Sequence, residues 1–180
     1  MSDLEKKRQE RLLENRDFKP QYAVGSGYDV HQFASDRPLY LGGVLIPSDK
    51  GLLGHSDSDV LLHAVMDALL GACGMKDIGT FFPPEEAKWK DVRSTDLLER
   101  VCEEIDACGW LIGNIDATII AEVPKVKPHI DEMKVVIGEI CGLQDYRIGI
   151  KATTNESMGF VGRQEGIAAI ASALCFNKTN

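Results

Sequence analysis

The clearest apolar periodicity runs through "DSDVLLHAVMDALLGACG", which predicts a helix stopping near Gly71 and Gly74. Before it, "QYAVGSGYDV" and "PLYLGGVLI" read as two strands whose glycines mark bulges or close backbone approaches. The polar segment "SDKGLLGHSDSD" joins them to the helix, and "GMKDIGTFFPPEEAKWK" follows it, too long and too aromatic for a bare connection. A second helix fits "STDLLERVCEEIDACG", with Leu97, Leu98, Val101, Ile105 and Cys108 as its stripe and Ser94 or Thr95 as its cap. "WLIGNIDATIIAEV" reads as a strand, Pro128 opens a helix reaching about Cys141, and "DYRIGIKATT" is a further strand. The final run, "EGIAAIASALCF", is apolar nearly all round and predicts a buried helix. This order, β-β-α-α-β-α-β-α, predicts an α+β fold with a mixed β-sheet covered on one face by helices.

Composition narrows the class. The chain has 180 residues, 44% hydrophobic and 27% charged, enough for one soluble domain with a sizeable core. Residues 1–20 are dense in Glu, Lys and Arg and read as a charged extension, either a solvated helix, a linker or a tag-like remnant, with one domain expected over 21–180. No run approaches the roughly 18–20 apolar residues of a membrane span, and no secretory signal is evident, so neither membrane nor secretion is expected. A net charge of -8 argues against nucleic acid as partner but leaves phosphorylated substrates open, because a metal ion supplies local positive charge. Five cysteines without a C-x-x-C pair read as buried free thiols in a reducing compartment.

Candidate chemistry falls into three clusters. In "GSGYDVHQF", strand periodicity turns Asp29 and His31 to one face, either as two metal ligands or as a polar strand edge. On the first long helix, Asp59, His63 and Asp67 share a face, where a lone histidine is more often a core residue than a ligand. Joined with Asp29 and His31, His63 completes three N/O ligands, the number a catalytic zinc uses while keeping its fourth position open. The loop "GHSDSD" places His55 and Ser56 before the helix, with Asp57 or Ser58 as its cap and free backbone N–H groups for a phosphate. The third cluster, "KATTNESMGFVGRQEGIA", carries Thr153, Thr154, Glu156, Arg163 and Glu165. It reads either as a glycine-punctuated turn or as a site for phosphate plus a hard cation. Lys125 and Lys127 at a strand end are a weaker signal.

"GYDVHQF", "GGVLIP", "GLLGHSDSDVLLHAVMDALLGA", "DIGTFFPP", "GNIDATIIAEVPKVKPHI" and "KATTNESMGFVGRQEGIA" together resemble the 2-C-methyl-D-erythritol 2,4-cyclodiphosphate synthases of the non-mevalonate isoprenoid route. The resemblance runs in one register from about residue 22 to the C-terminus. It implies a ferredoxin-like sandwich subunit of a homotrimer with active sites at the subunit interfaces. It places zinc on Asp29, His31 and His63 and a second divalent cation, Mg²⁺ or Mn²⁺, on Glu156. Substrate contacts carry over to Asp29, His31, His55, Ser56, Asp77, Ile78, Gly79 and Phe82, and further to Glu86, Phe160 and Arg163. The cytidine end falls to Ala121, Pro124, Lys125, Val126, Lys127, Thr153 and Thr154, with transition-state stabilisation at His55 and Thr154.

This chain departs from the family pattern at Pro84, where many members carry an acid. Glu85-Glu86 also stand where Thr-Asp or Ser-Asp is usual, and "HSDSD" replaces "HSDGD". The implied reaction is metal-dependent conversion of CDP-methylerythritol 2-phosphate to the cyclodiphosphate with release of CMP, a phosphorus–oxygen lyase activity. It would take place in a bacterial cytoplasm or a plastid stroma. Two other readings use the same residues: a zinc-assisted phosphodiesterase, and a non-catalytic metal-stabilised trimer that binds isoprenoids or nucleotides.

Overall fold

The computed structural model describes residues 2–14 and 20–178. Among these residues seven strands form: β1 (Tyr22–Ala34), β2 (Leu39–Leu41), β3 (Val44–Ile46), β4 (Gly51–Leu52), β5 (Trp110–Ile120), β6 (Ile148–Thr153) and β7 (Gly166–Asn177). Five of them build one mixed sheet in the order β4-β1-β7-β5-β6, antiparallel except between β5 and β6. The helices are α1 (Asp3–Glu14), α2 (Val60–Ala72), α3 (Ile78–Phe81), α4 (Ser94–Ala107), α5 (Ile130–Cys141) and α6 (Gly159–Gly162). Helices α2, α4 and α5 pack on one face of the sheet around a single core. No helix among the described residues is long and apolar enough to cross a membrane.

The predicted C-terminal helix is instead β7, the central strand of the sheet. It pairs with β1 along one edge, from Gln32↔Gly166 to Tyr22↔Phe176, and with β5 along the other. Ile167, Ala169, Ala171, Ala173 and Cys175 are buried toward α2, while Ile170 and Ser172 are exposed on the opposite side. Alanine favours helix locally, and apolar Ile170 and Leu174 on the outer face erase the alternation that marks a strand. Two-sided pairing overrides both signals.

Two smaller expectations also change. "PLYLGGVLI" is a hairpin, β2 and β3 folding back at Gly42-Gly43, whose φ of 61° and 80° suits the tight turn. The N-cap of α2 is Asp59, which accepts from Leu62 N–H at 3.1 Å and from Gly42 and Gly43 N–H at 2.9 and 2.7 Å. It therefore ties the hairpin to the helix start. Asp57 serves α4 instead, accepting from Ser94 N–H at 3.0 Å, so Ser94 is the first helical residue and not the cap. Of the cysteines, Cys175 is buried and Cys108 exposed, and all five are free thiols.

Helix α2 sits unusually close to β1. A Cβ on Gly25 would lie 2.1 Å from Ala68 O, and one on Gly27 would lie 2.1 Å from Ala64 O. Small residues on both partners permit this approach, and it presses α2 from Ala64 to Ala72 against Gly25 and Gly27 of β1. Gly27→Ala forces backbone apart and is expected to destabilise the protein by about 3 kcal/mol or more, read as a fall in the urea unfolding midpoint.

Candidate metal centre

Asp29 and His31 point from β1 toward α2, and His63 projects from the first turn of α2. Asp29 Oδ2 lies 2.9 Å from His31 Nε2 and 3.0 Å from His63 Nδ1, and the two nitrogens are 3.1 Å apart. A four-coordinate ion with ligand bonds of about 2.0–2.1 Å has ligand–ligand edges of ~3.3 Å. The triangle is thus close to one face of such a tetrahedron, and one carboxylate with two imidazoles suits zinc or a similar divalent ion. Among the described residues no other group of His, Cys, Asp and Glu converges in this way.

The surroundings prepare the triangle. Leu53 O lies 2.7 Å from His31 Nδ1. A carbonyl only accepts, so Nδ1 carries a proton, which leaves Nε2 to donate a second proton to Asp29 or to give its lone pair to a cation. Burial alone would raise the Asp29 carboxyl, but hydrogen bonds from His31 and His63 outweigh it and hold Asp29 well below the usual carboxylate range. Burial likewise disfavours charge on His31, yet the hydrogen bond and charge of Asp29 prevail and raise it above its ordinary 6.5. Gly54 completes the cradle, because a Cβ there would meet Ser58 Oγ at 2.4 Å and His31 Cε1 at 3.0 Å.

A cavity of about 290 Å³ opens over the triangle. His55, Ser56, Ile78, Gly79 and Phe82, all singled out from the sequence, line it. His55 Nε2 and Trp89 Nε1 are buried without a hydrogen-bond partner among the described residues, a demand for a polar ligand. Asp77 stands off the wall as N-cap of α3, accepting from Thr80 N–H at 2.8 Å, while Asp67 accepts from Ile78 N–H at 2.9 Å. These two carboxylates hold the Ile78–Gly79 turn over the cavity. Glu86 is exposed and pairs with Lys88 at 2.5 Å, so its side chain does not line the cavity. Sequence reading missed Trp89 and Leu97, which do line it, and Pro84 lines it too. The aromatic richness of the 74–90 loop was the available signal for Trp89, whose ring meets Phe82 edge-on at 5.0 Å.

The remaining residues gather elsewhere. Because β5 and β6 run parallel, their C-terminal ends lie side by side, and Ala121 N–H donates to Thr153 O at 3.0 Å. Glu122 accepts from Asn155 and Ser157 N–H at 3.0 and 3.2 Å, and Thr154 Oγ1 donates to Glu156 at 3.0 Å. Glu156 and Ser157 take left-handed backbone angles, φ 50° and 62°. Val126 is buried, Pro124 half-buried, and Lys125 and Lys127 are exposed. Phe160 is half-buried and Arg163 pairs with Glu165 at 2.7 Å. None of this group lines the metal cavity within the chain.

A family model described as the YgbB family matches residues 22–176. The chain belongs to the YgbB family. YgbB relatives named 2-C-methyl-D-erythritol 2,4-cyclodiphosphate synthase include a Symbiobacterium thermophilum protein, 56% identical over 151 residues, and a Listeria monocytogenes serotype 4b protein, 52% identical over 151. Each alignment covers 84% of this chain and 96% of the relative. Among solved structures, Plasmodium falciparum IspF in complex with CDP is 31% identical with a TM-score of 0.78, covering 89% of this chain and 99% of that one. The bifunctional IspDF of Campylobacter jejuni is 40% identical with a TM-score of 0.83; 88% of this chain is covered, but only 44% of that longer chain.

Metal and proton compete for His31. Zinc affinity is expected to fall about tenfold per pH unit once pH drops below the raised His31 value, a decline beginning above pH 6.5, measurable by zinc titration. In metal-free protein the stability contributed by protonated His31 runs the opposite way with pH: full below 6.5, lost as pH rises through the folded value. Gly54→Ala should displace the His31 ring and weaken zinc binding at least about tenfold at fixed pH in the same titration.

Proposed function

We propose that this chain is a metal-dependent cyclodiphosphate synthase of isoprenoid precursor biosynthesis. It converts 4-CDP-2-C-methyl-D-erythritol 2-phosphate to 2-C-methyl-D-erythritol 2,4-cyclodiphosphate and CMP. The carrying observation is the Asp29–His31–His63 triangle facing a cavity with an unpartnered buried imidazole nitrogen, in a member of this family.

The reaction joins two ends of one molecule. An oxygen of the 2-phosphate bonds to the β-phosphorus, the bond from that phosphorus to the bridging oxygen breaks, and CMP departs with the electron pair, as in a phosphorus–oxygen lyase. The nucleophile is already an anion, so no general base is needed; the site must fold the substrate and neutralise charge. Asp29, His31 and His63 would hold zinc, which supplies Lewis-acid polarisation of phosphate oxygens. Glu156 would take the second cation, Mg²⁺ or Mn²⁺. His55 and Thr154 offer hydrogen bonds where charge builds, and Ser56 with the Ile78–Gly79 turn orients the phosphate and polyol. Phe82 and Trp89 exclude water from the methylerythritol end. The segment from Ala121 to Lys127, with Thr153, takes the cytidine end, and Phe160 and Arg163 complete the substrate contacts.

A homotrimer of ferredoxin-like subunits with interfacial active sites accounts for the separation of these two groups within one chain. Supporting it, the outer face of the sheet carries no helix among the described residues and leaves Val24 73%, Tyr28 55% and Ile170 45% exposed. A second copy on that face would bring its β5 and β6 ends toward the metal cavity of the first. We place the enzyme in a bacterial cytoplasm or plastid stroma, with residues 21–180 as its catalytic domain.

Phosphorus NMR with the substrate and Mg²⁺ should show CMP and a cyclic diphosphate, lost on zinc chelation and restored by zinc. His55→Ala should lower kcat about 10²–10³-fold while zinc stays bound. A linear product would identify a phosphodiesterase using water, and no turnover by folded, metallated protein would leave a binding protein.

A further inference from the structure

Behind His63 lies a polar chain of Ser94, Asp57 and Arg93, none of which lines the cavity. His63 Nε2 is 3.1 Å from Ser94 Oγ, and Ser94 Oγ is 2.5 Å from Asp57 Oδ1. Ser94 is completely buried and Asp57 nearly so. The Asp57 carboxylate is fixed by Arg93 Nε and Ser94 N–H, each 3.0 Å from Oδ2. Arg93 is held in turn by Gly43 O at 3.0 Å and by the Tyr40 ring beneath its guanidinium.

Proton accounting gives this chain a direction. An ionised carboxylate only accepts, so the single hydroxyl proton of Ser94 goes to Asp57. Ser94 Oγ can then meet His63 only as an acceptor, and Nε2 must carry a proton. Nδ1, which in the metal-free protein donates to the Asp29 carboxylate at 3.0 Å, is then the nitrogen that turns its lone pair to a cation held by the triangle. Ser56 Oγ, 3.3 Å from the same Nε2, already accepts from Ser58 N–H at 3.1 Å and can share the Nε2 proton without reversing this order.

We propose that Ser94 and Asp57 are positioning residues that lock His63 in the Nε2–H tautomer and so set the metal affinity of the site. The relay is to His63 what the Leu53 carbonyl is to His31, but a carboxylate behind a hydroxyl also strengthens the imidazole as a donor to the metal. The inference rests on the metal-holding role proposed for Asp29, His31 and His63.

The test uses zinc alone and the whole chain. Nitrogen-15 NMR of the zinc-loaded wild type should show His63 bound to the metal through Nδ1 with a slowly exchanging proton on Nε2. Ser94→Ala should speed the exchange of that proton and weaken zinc binding about 10–100-fold against a competing chelator. Asp57→Asn, which keeps an acceptor for the hydroxyl, should weaken it less. A zinc-loaded wild type with the His63 proton on Nδ1 overturns the relay even where a variant does not fold. So does unchanged zinc affinity in folded Ser94→Ala. Zinc binding that Asp29→Ala does not reduce would instead overturn the metal site itself.

Discussion

The contact on which the site depends is the near-touching of two backbones. A strand advances about 6.6 Å for every two residues and a helix about 6.0 Å for every four, so the two can stay in step over several repeats when nothing but hydrogen separates them. Here Gly25 meets α2 at Ala68 and Ala72, and Gly27 meets it at Ala64 and Ala68. One further step along β1 brings Asp29 beside the turn that carries His63. The glycines therefore act as spacers for the metal ligands. A side chain two residues away from Asp29 would open the gap that His63 must close.

This explains which parts of the protein were legible in its sequence. Asp29 and His31 share a face by strand periodicity, and His63 shows itself as a polar interruption of an apolar helix. Motif resemblance joined them, and the geometry does bring them together. The last strand was misread because its small residues, demanded by the close-lying α2, are also good helix formers. Its identity is fixed by β1 and β5 on either side, and a local pattern does not contain them. Asp57 and Ser94 lie 37 residues apart, so their contact left no spacing to read and each passed for an ordinary cap. Trp89 was hidden in the same way, in a loop whose position over the cavity depends on Asp67 and Asp77.

The electrostatics of the site run against the overall charge of the molecule. An acidic chain would repel a polyanionic substrate if its surface alone decided binding. The ligand triangle concentrates opposite behaviour in a small volume: a depressed Asp29 carboxyl and a raised His31 imidazole both favour their charged forms before any ion arrives. A cation entering this site takes the place of a proton, so little new charge has to be buried. Arg93 and Asp57 form a second ion pair immediately behind, so the Asp57 carboxylate is not left without a countercharge.

Glu122 has a role of its own at the opposite group of residues. By accepting from Asn155 and Ser157 N–H it holds two non-glycine residues, Glu156 and Ser157, in left-handed conformations that an unsupported chain seldom keeps. The turn at the ends of β5 and β6 is therefore shaped during folding and does not wait for a visitor. Whatever docks there meets a finished surface, and the entropy of ordering the loop is already spent. Encounter can then proceed as rigid-body collision, with speed limited by diffusion and orientation and not by a loop rearranging itself.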